Sequence, residues 1–186
     1  MKHIITINYP LAKELKKHLF KNRKEQGAFL FSDVIAEPDE LRLVVKDLYL
    51  ISPDGWELQE ENFLEMKDEE RAKIMKIARD KNFAVIDCHS HPGANDYVWF
   101  SPSDRRGIEE FAAYARWKLD GKPFAALVWG ESSFDGVIWH SDFAKSHAID
   151  ALQIFGKNKK ILLPQNTWDV TFLKDYKRRS YGKKSL

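Results

Sequence analysis

The stretch Asp87-Cys88-His89-Ser90-His91-Pro92, followed after nine residues between His91 and Ser101 by Ser101-Pro102-Ser103-Asp104, carries the residue types of a hydrolytic metal centre. Histidines at i and i+2 of an extended strand project to the same face, so two imidazole nitrogens can reach one ion. Pro92 ends the strand there. Asp104 stands at the start of a helical stretch, and a loop returning from His91 brings its carboxylate to the same ion. Two imidazoles and one carboxylate suit Zn2+ and leave a fourth position open, as in a catalytic rather than a structural zinc site. An ion held in that way lowers the pKa of water to about 7. Ser101-Pro102-Ser103-Asp104 is also a good helix start, with Ser at the N-cap, Pro at N1 and an acid at N3. The two readings are compatible.

Periodicity predicts the elements that must hold these residues. His3 to Asn8 alternates like a short strand, and Pro10 opens a helix marked by Leu11, Leu15 and Leu19. Gly27 to Phe31 and Leu41 to Val45 form a predicted hairpin across Ala36 to Glu40, and Ser52-Pro53-Asp54-Gly55 closes the second strand. Residues 56–66 have no clear period. A charged amphipathic helix over about residues 67–80 leads into the apolar strand Phe83 to Cys88, which delivers the histidines. Ile108, Phe111, Ala112, Ala115 and Leu119 mark a long helix from Pro102, with Gly121 as its stop. Phe124 to Trp129 and Phe134 to Trp139 predict a second hairpin across Glu131-Ser132-Ser133; beyond Ser141 the pattern weakens. Strands and helices without regular βα alternation predict one three-layer α/β domain with a mixed sheet flanked by helices.

Composition narrows the function classes. At 186 residues the chain is too short for a (β/α)8 barrel, which needs about 250 residues. An apolar fraction of 44%, with 12 Phe, 6 Trp and 6 Tyr, is enough for a packed core and excludes a disordered chain. Cys88 is the single cysteine, which excludes an intrachain disulfide and a multi-cysteine zinc cage, so any zinc must sit in His and Asp ligands. No apolar run approaches the ~18–20 residues of a membrane span, and Met1 to Ile7 lacks a signal-peptide core. A cytoplasmic, intracellular setting is expected. Residues 171–186 hold six basic residues against Asp175, a local +5, which leaves −3 on residues 1–170 of the total +2. The basic tail reads as a solvated terminus, with nucleic acid a lesser candidate partner.

His-Ser-His-Pro followed by Ser-x-x-Asp resembles the motif of the JAMM (MPN+, JAB domain) zinc metalloproteases. In that family a glutamate just before the strand that follows the first helix completes the site; here Glu25, in Glu25-Gln26-Gly27-Ala28-Phe29-Leu30, holds the matching position. The resemblance spans about residues 9–140. It implies an MPN/JAB-like, cytidine-deaminase-like fold over residues 1–160, with 161–186 as a C-terminal extension. It implies one Zn2+ held by His89, His91 and Asp104, Glu25 as general base, and Ser101 as a hydrogen-bond donor to the oxyanion. It also implies a peptidase or isopeptidase acting after the C-terminal tail of ubiquitin or a ubiquitin-like protein, with E1/E2-like pathway partners. The nine-residue interval between His91 and Ser101 is longer than usual in that family; a bulge around Asn95-Asp96-Tyr97 would absorb the excess, with Asp96 a lesser competing ligand.

Other readings compete. A non-catalytic MPN-fold binding scaffold would typically have lost ligands that this chain retains. The His-x-His strand is also similar to that of amidohydrolases and PHP-type phosphoesterases, but these are barrels needing further histidines. Cys88, on the opposite strand face from His89, reads as a buried small hydrophobe. Asp87 shares the histidine face and is a candidate to orient an imidazole. Trp99 and Phe100 are candidates for a substrate wall or for core packing. His140 and His147 read as surface or loop residues.

Overall fold

The computed structural model describes residues 1–61, 63–140 and 145–168. The predicted basic tail lies outside them. The chain forms a mixed α/β fold in the order β1 (Lys2–Asn8), α1 (Tyr9–Leu19), β2 (Gly27–Glu37), β3 (Glu40–Leu50), β4 (Trp56–Gln59), β5 (Leu64–Met66), α2 (Asp68–Asp80), β6 (Ala84–Ser90), α3 (Pro102–Lys118), β7 (Phe124–Trp129), β8 (Phe134–Trp139), β9 (His147–Ala148), β10 (Ala151–Phe155) and β11 (Lys160–Leu162). Nine strands make one curled sheet in the order β11-β10-β1-β3-β2-β6-β7-β8-β9, and β4 and β5 pair by themselves. No helix among the described residues is long and apolar enough to cross a membrane.

Each face of the sheet is covered. Leu15 and Leu19 of α1 pack on Ile5, Leu30, Ile86 and Cys88, while Ile74 and Met75 of α2 and Ile108, Ala112 and Ala115 of α3 pack on Phe29, Val85 and Val128. β6 is central, antiparallel to β2 and parallel to β7. Its alternation divides the layers: Ala84, Ile86 and Cys88 enter the α1 core, whereas Val85 enters the α2/α3 core. Cys88 is fully buried, as its face predicts.

Both hairpins predicted from sequence form, β2–β3 and β7–β8. Helix α1 is capped by Asn8, whose side chain accepts from Leu11 N–H at 2.9 Å. Helix α2 carries Asp68, Glu69 and Glu70 in its first turn, where acids complement the helix dipole. Two features were not legible. The stretch without a period forms the β4–β5 hairpin, and β10 adds to β1 in parallel register, Ile4 opposite Ala151. Residues 161–168 pack against the body. Asp135, fully buried, accepts from the N–H groups of Gly136, Asn166 and Thr167 at 2.8–2.9 Å, and Trp168 stacks edge-on against Phe100 and Trp139.

Ser90 ends β6 and fastens the segment entering β2. Its hydroxyl donates to Leu19 O (2.8 Å) and accepts from Gln26 N–H (3.1 Å), and its N–H donates to Gln26 O (3.0 Å). Ser90→Ala leaves a buried donor and acceptor without a partner, a cost of about 1–3 kcal/mol. Urea unfolding of the full chain should show that loss as a lower midpoint with an unchanged slope; an unchanged midpoint would contradict the fastening role.

Candidate functional site

His89 is the next-to-last residue of β6 and shares the α2/α3 face with Val85 and Asp87 by alternation. It is buried, with its ring 5.9 Å from that of Phe100. His91 lies just past the strand, and its N–H donates to Trp129 O at 2.8 Å, which extends the β geometry beyond the formal strand end. The two imidazoles therefore stand on one side, ring centroids 5.1 Å apart.

Asp104 reaches them from the first turn of α3. The predicted capping box is present: Ser101 N–H donates to Asp104 Oδ2 at 2.6 Å, and Asp104 N–H donates to Ser101 Oγ at 3.2 Å. The same Oδ2 lies 3.6 Å from His89 Nε2 and 3.4 Å from His91 Nε2. These separations are long for N–H···O hydrogen bonds, which favour ~2.9–3.0 Å. They are close to the roughly 3.3 Å between two ligand atoms each ~2.0–2.1 Å from a tetrahedral zinc. His89 Nε2 is moreover buried with no hydrogen-bond partner among the described residues. The residues thus fit a divalent cation with an open coordination position, and Glu25 Oε1 stands alongside at 3.4 Å from His91 Nε2.

Glu25 is held through its backbone. Its N–H donates to Glu60 O (3.1 Å) and its carbonyl accepts from Gln59 Nε2 (2.8 Å), both on the β4–β5 hairpin. Gly27, two residues on, has no room for a side chain: a Cβ there would stand 2.5 Å from the Trp56 ring. The close approach of Trp56 thus keeps the hairpin against Glu25, a support that the aperiodic sequence of residues 56–66 did not reveal.

Electrostatics separate the groups by role. Burial pushes Glu25 up to about 7, helped by Asp104 and opposed by His89. Burial would raise Asp104 too, but His89 and His91 beside it hold its carboxyl well below the usual range, and the N-terminus of α3 favours the anion. Burial would lower His89, yet Asp104, Asp87 and Glu25 together raise it to about 9. His91 is lowered by burial. Asp87 is pushed up to about 6 by burial and makes no side-chain hydrogen bond to an imidazole among the described residues, so it acts on His89 through charge.

The remaining sequence-derived candidates fall into place. Ser101 sits at the N-cap, its Oγ 2.8 Å from Ser103 Oγ. Asp96 turns away and accepts from Ser132 Oγ at 3.2 Å, while Asn95 O accepts from the hydroxyls of Ser132 and Ser133 on the β7–β8 turn. Asp96 is therefore not part of the ligand cluster. Phe100 is fully buried and belongs to the core, and Trp99 packs on Tyr97. A cleft of about 920 Å3 opens beside the site, lined by Glu25, His89 and Asp104 together with Phe63, Met66 and Tyr114. The connection and strand after β4 supply the first two of these apolar residues, and α3 supplies Tyr114.

No family model matches the sequence. No curated protein matches it either. The fold is similar to that in the solution structure of protein DSY2949 from Desulfitobacterium hafniense, with a TM-score of 0.53 over 82% of this chain and 94% of that chain. The two are 15% identical, a likeness of fold alone.

Because His89 is raised to about 9 in the metal-free protein, it holds a proton at neutral pH that a cation must displace. Below that pKa each unit of falling pH should weaken zinc binding about tenfold, and binding near neutrality should release about one proton. Calorimetry in buffers of different ionisation enthalpy measures both; an affinity independent of pH between roughly 6 and 8 would contradict this assignment.

Proposed function

We propose that this chain is a zinc-dependent peptidase of the JAMM type. The observation that carries the proposal is the convergence of Asp104 Oδ2 on the Nε2 atoms of His89 and His91 at 3.6 and 3.4 Å, with the Glu25 carboxylate 3.4 Å from His91 Nε2. Zn2+ held by His89, His91 and Asp104 supplies Lewis acidity toward water and a scissile carbonyl.

The chain's own residues provide the rest. Glu25, pushed up to about 7, is matched to accept a proton from attacking water and return it to the leaving amine near neutral pH. Ser101 Oγ accepts from Asp104 N–H, and with Ser103 as the donor across their 2.8 Å contact its hydroxyl hydrogen is available to an oxyanion. Asp104 stays ionised against both imidazoles and orients them. The cleft beside Glu25 suits an extended peptide. Phe63 and Met66 offer apolar contact, and the β4–β5 hairpin has an edge on which a chain terminus could add as a strand. That geometry supports a substrate presenting an extended C-terminal tail, as ubiquitin-like proteins do.

Cleavage of a ubiquitin-like fusion protein, with and without a chelator, tests the reading. Glu25→Gln should lower kcat by about 10²–10⁴-fold while zinc content stays unchanged. Ser101→Ala should lower kcat by about 10²–10³-fold with little change in KM. Cleavage that survives both the chelator and Glu25→Gln would overturn the mechanism. Metal-free protein that binds the fusion without cutting it would instead indicate a non-catalytic scaffold.

A further inference from the structure

Three histidines meet at the end of the sheet opposite His89. β1 and β3 are parallel, β3 and β2 antiparallel, and β2 and β6 antiparallel, so β1 runs in the direction of β6. β8 runs against it. The first residues of β1 and the residue after β8 therefore share the end where β6 begins, whereas His89 lies where β6 ends. His3 is the second residue of β1, His140 follows β8, and His147 opens β9. The sequence reading placed His140 and His147 on the surface or in loops. His140 lies in the connection after β8 and His147 opens a strand; both are half-buried, and His3 is buried.

The cluster occupies the seam at which the curled sheet closes. β9 pairs with β8, His147 opposite Ile138, and only Ile149-Asp150 separates β9 from β10, which pairs with β1. Asp150 N–H donates to His3 O (2.8 Å), and His3 N–H donates to Asp150 Oδ2 (2.6 Å). The Arg116 guanidinium donates to His140 O at 2.6 Å. The backbone of each side of the seam is therefore held before the imidazoles are considered.

The imidazoles have the chemistry of a ligand set. His3 Nδ1 lies 3.1 Å from Ala148 O, which can only accept, so Nδ1 carries the proton and Nε2 presents the lone pair in the neutral ring. A backbone carbonyl in that outer position is how metal-binding imidazoles have their tautomer set. His3 Nε2 is hydrogen-bonded to His140 Nε2 at 3.1 Å, a separation that a cation displacing the shared proton would also meet, since the edge of a tetrahedral zinc site is roughly 3.3 Å. The ring centroids stand 4.9, 5.1 and 4.7 Å apart, and one nitrogen from each ring lies within 4.8 Å of the others.

We propose that His3, His140 and His147 form a second metal site, for a divalent cation of the zinc class, that fastens the seam between the β8–β9 and β1–β10 sides of the sheet. Three imidazoles select Zn2+ or Co2+ over Mg2+ and Ca2+, which require oxygen ligands. A cation bound to residues brought together only in the folded chain adds to its stability.

The test uses untagged full-length protein, stripped of metal and titrated with ZnCl2 and CoCl2. The double variant His89→Ala/Asp104→Asn, altered only at the other end of the sheet, should still bind about one equivalent of Co2+ and show the intense visible bands of four-coordinate cobalt. Zn2+ should raise its thermal midpoint and Mg2+ should not. Adding His140→Gln and His147→Gln should abolish the bands and the zinc-dependent shift. Failure of the double variant to bind Co2+ or Zn2+, or binding that survives the two added substitutions, would overturn the proposal. Should the quadruple variant not fold, His147→Gln added alone to the double variant, which removes one imidazole, must at least weaken Co2+ binding tenfold. The peptidase reading is untouched by any of these results, because two of its three proposed ligands, His89 and Asp104, are replaced in every protein compared.

Discussion

A single carboxylate oxygen connects the architecture to the chemistry. Asp104 Oδ2 accepts from the Ser101 N–H, which completes the N-terminus of α3, and the same atom faces both His89 and His91. Moving α3 along the sheet would break its cap and the ligand geometry together. The packing of Ile108, Ala112 and Ala115 against the sheet holds the helix in its place, so core burial far from the site sets the distance across it. The long loop from His91 to Ser101 has no comparable responsibility. Asn95 and Asp96 hydrogen-bond to the β7–β8 turn, while Val98 and Phe100 return to the core just before the cap.

Charge within the site is balanced in a way that only a cation or a proton can satisfy. Glu25, Asp87 and Asp104 surround His89, and burial strengthens every interaction among them. The carboxylates of Asp104, Asp87 and Glu25 favour the protonated imidazole, which is why the His89 pKa rises despite desolvation. Asp104 remains ionised because two imidazoles and a helix N-terminus oppose its protonation, whereas burial, with Asp104 nearby, pushes Glu25 up to about 7. Similar carboxylates are thus driven to opposite ends of the titration range by their surroundings.

The legible parts of the sequence were those whose signals are local. His89 and His91 share a strand face by alternation, Ser101 to Asp104 is a self-contained cap, and the Ile108 to Ala115 periodicity marks α3 within one segment. Glu25 was different. It lies at the end of a lysine-rich stretch that looks solvated, and only the resemblance singled it out; its burial comes from Gln59, Glu60 and the Trp56 ring packed under Gly27. β4 and β5 were hidden because they are short and follow no period. The parallel pairing of β10 with β1 was hidden because its partners stand 147 residues apart, as Ile4 and Ala151 do. His3 and His140 are separated by 137 residues for the same reason.

The two clusters also show how a curled sheet divides its ends. At the end where β6 finishes, the chain leaves the sheet through Pro92 and a long loop, and a cleft forms between the α2/α3 layer and the β4–β5 hairpin. Polar side chains there face open space that a substrate can enter. At the other end, β9 and β10 follow one another almost without interruption, so the chain itself fills the seam between β8 and β1. The first end thus opens onto a cleft, and the second is filled by the chain itself. The difference follows from what each end leaves uncovered: a cleft beside a carboxylate poised near neutrality, against a seam in which the nearest carboxylate, Asp150, is already committed to the His3 N–H.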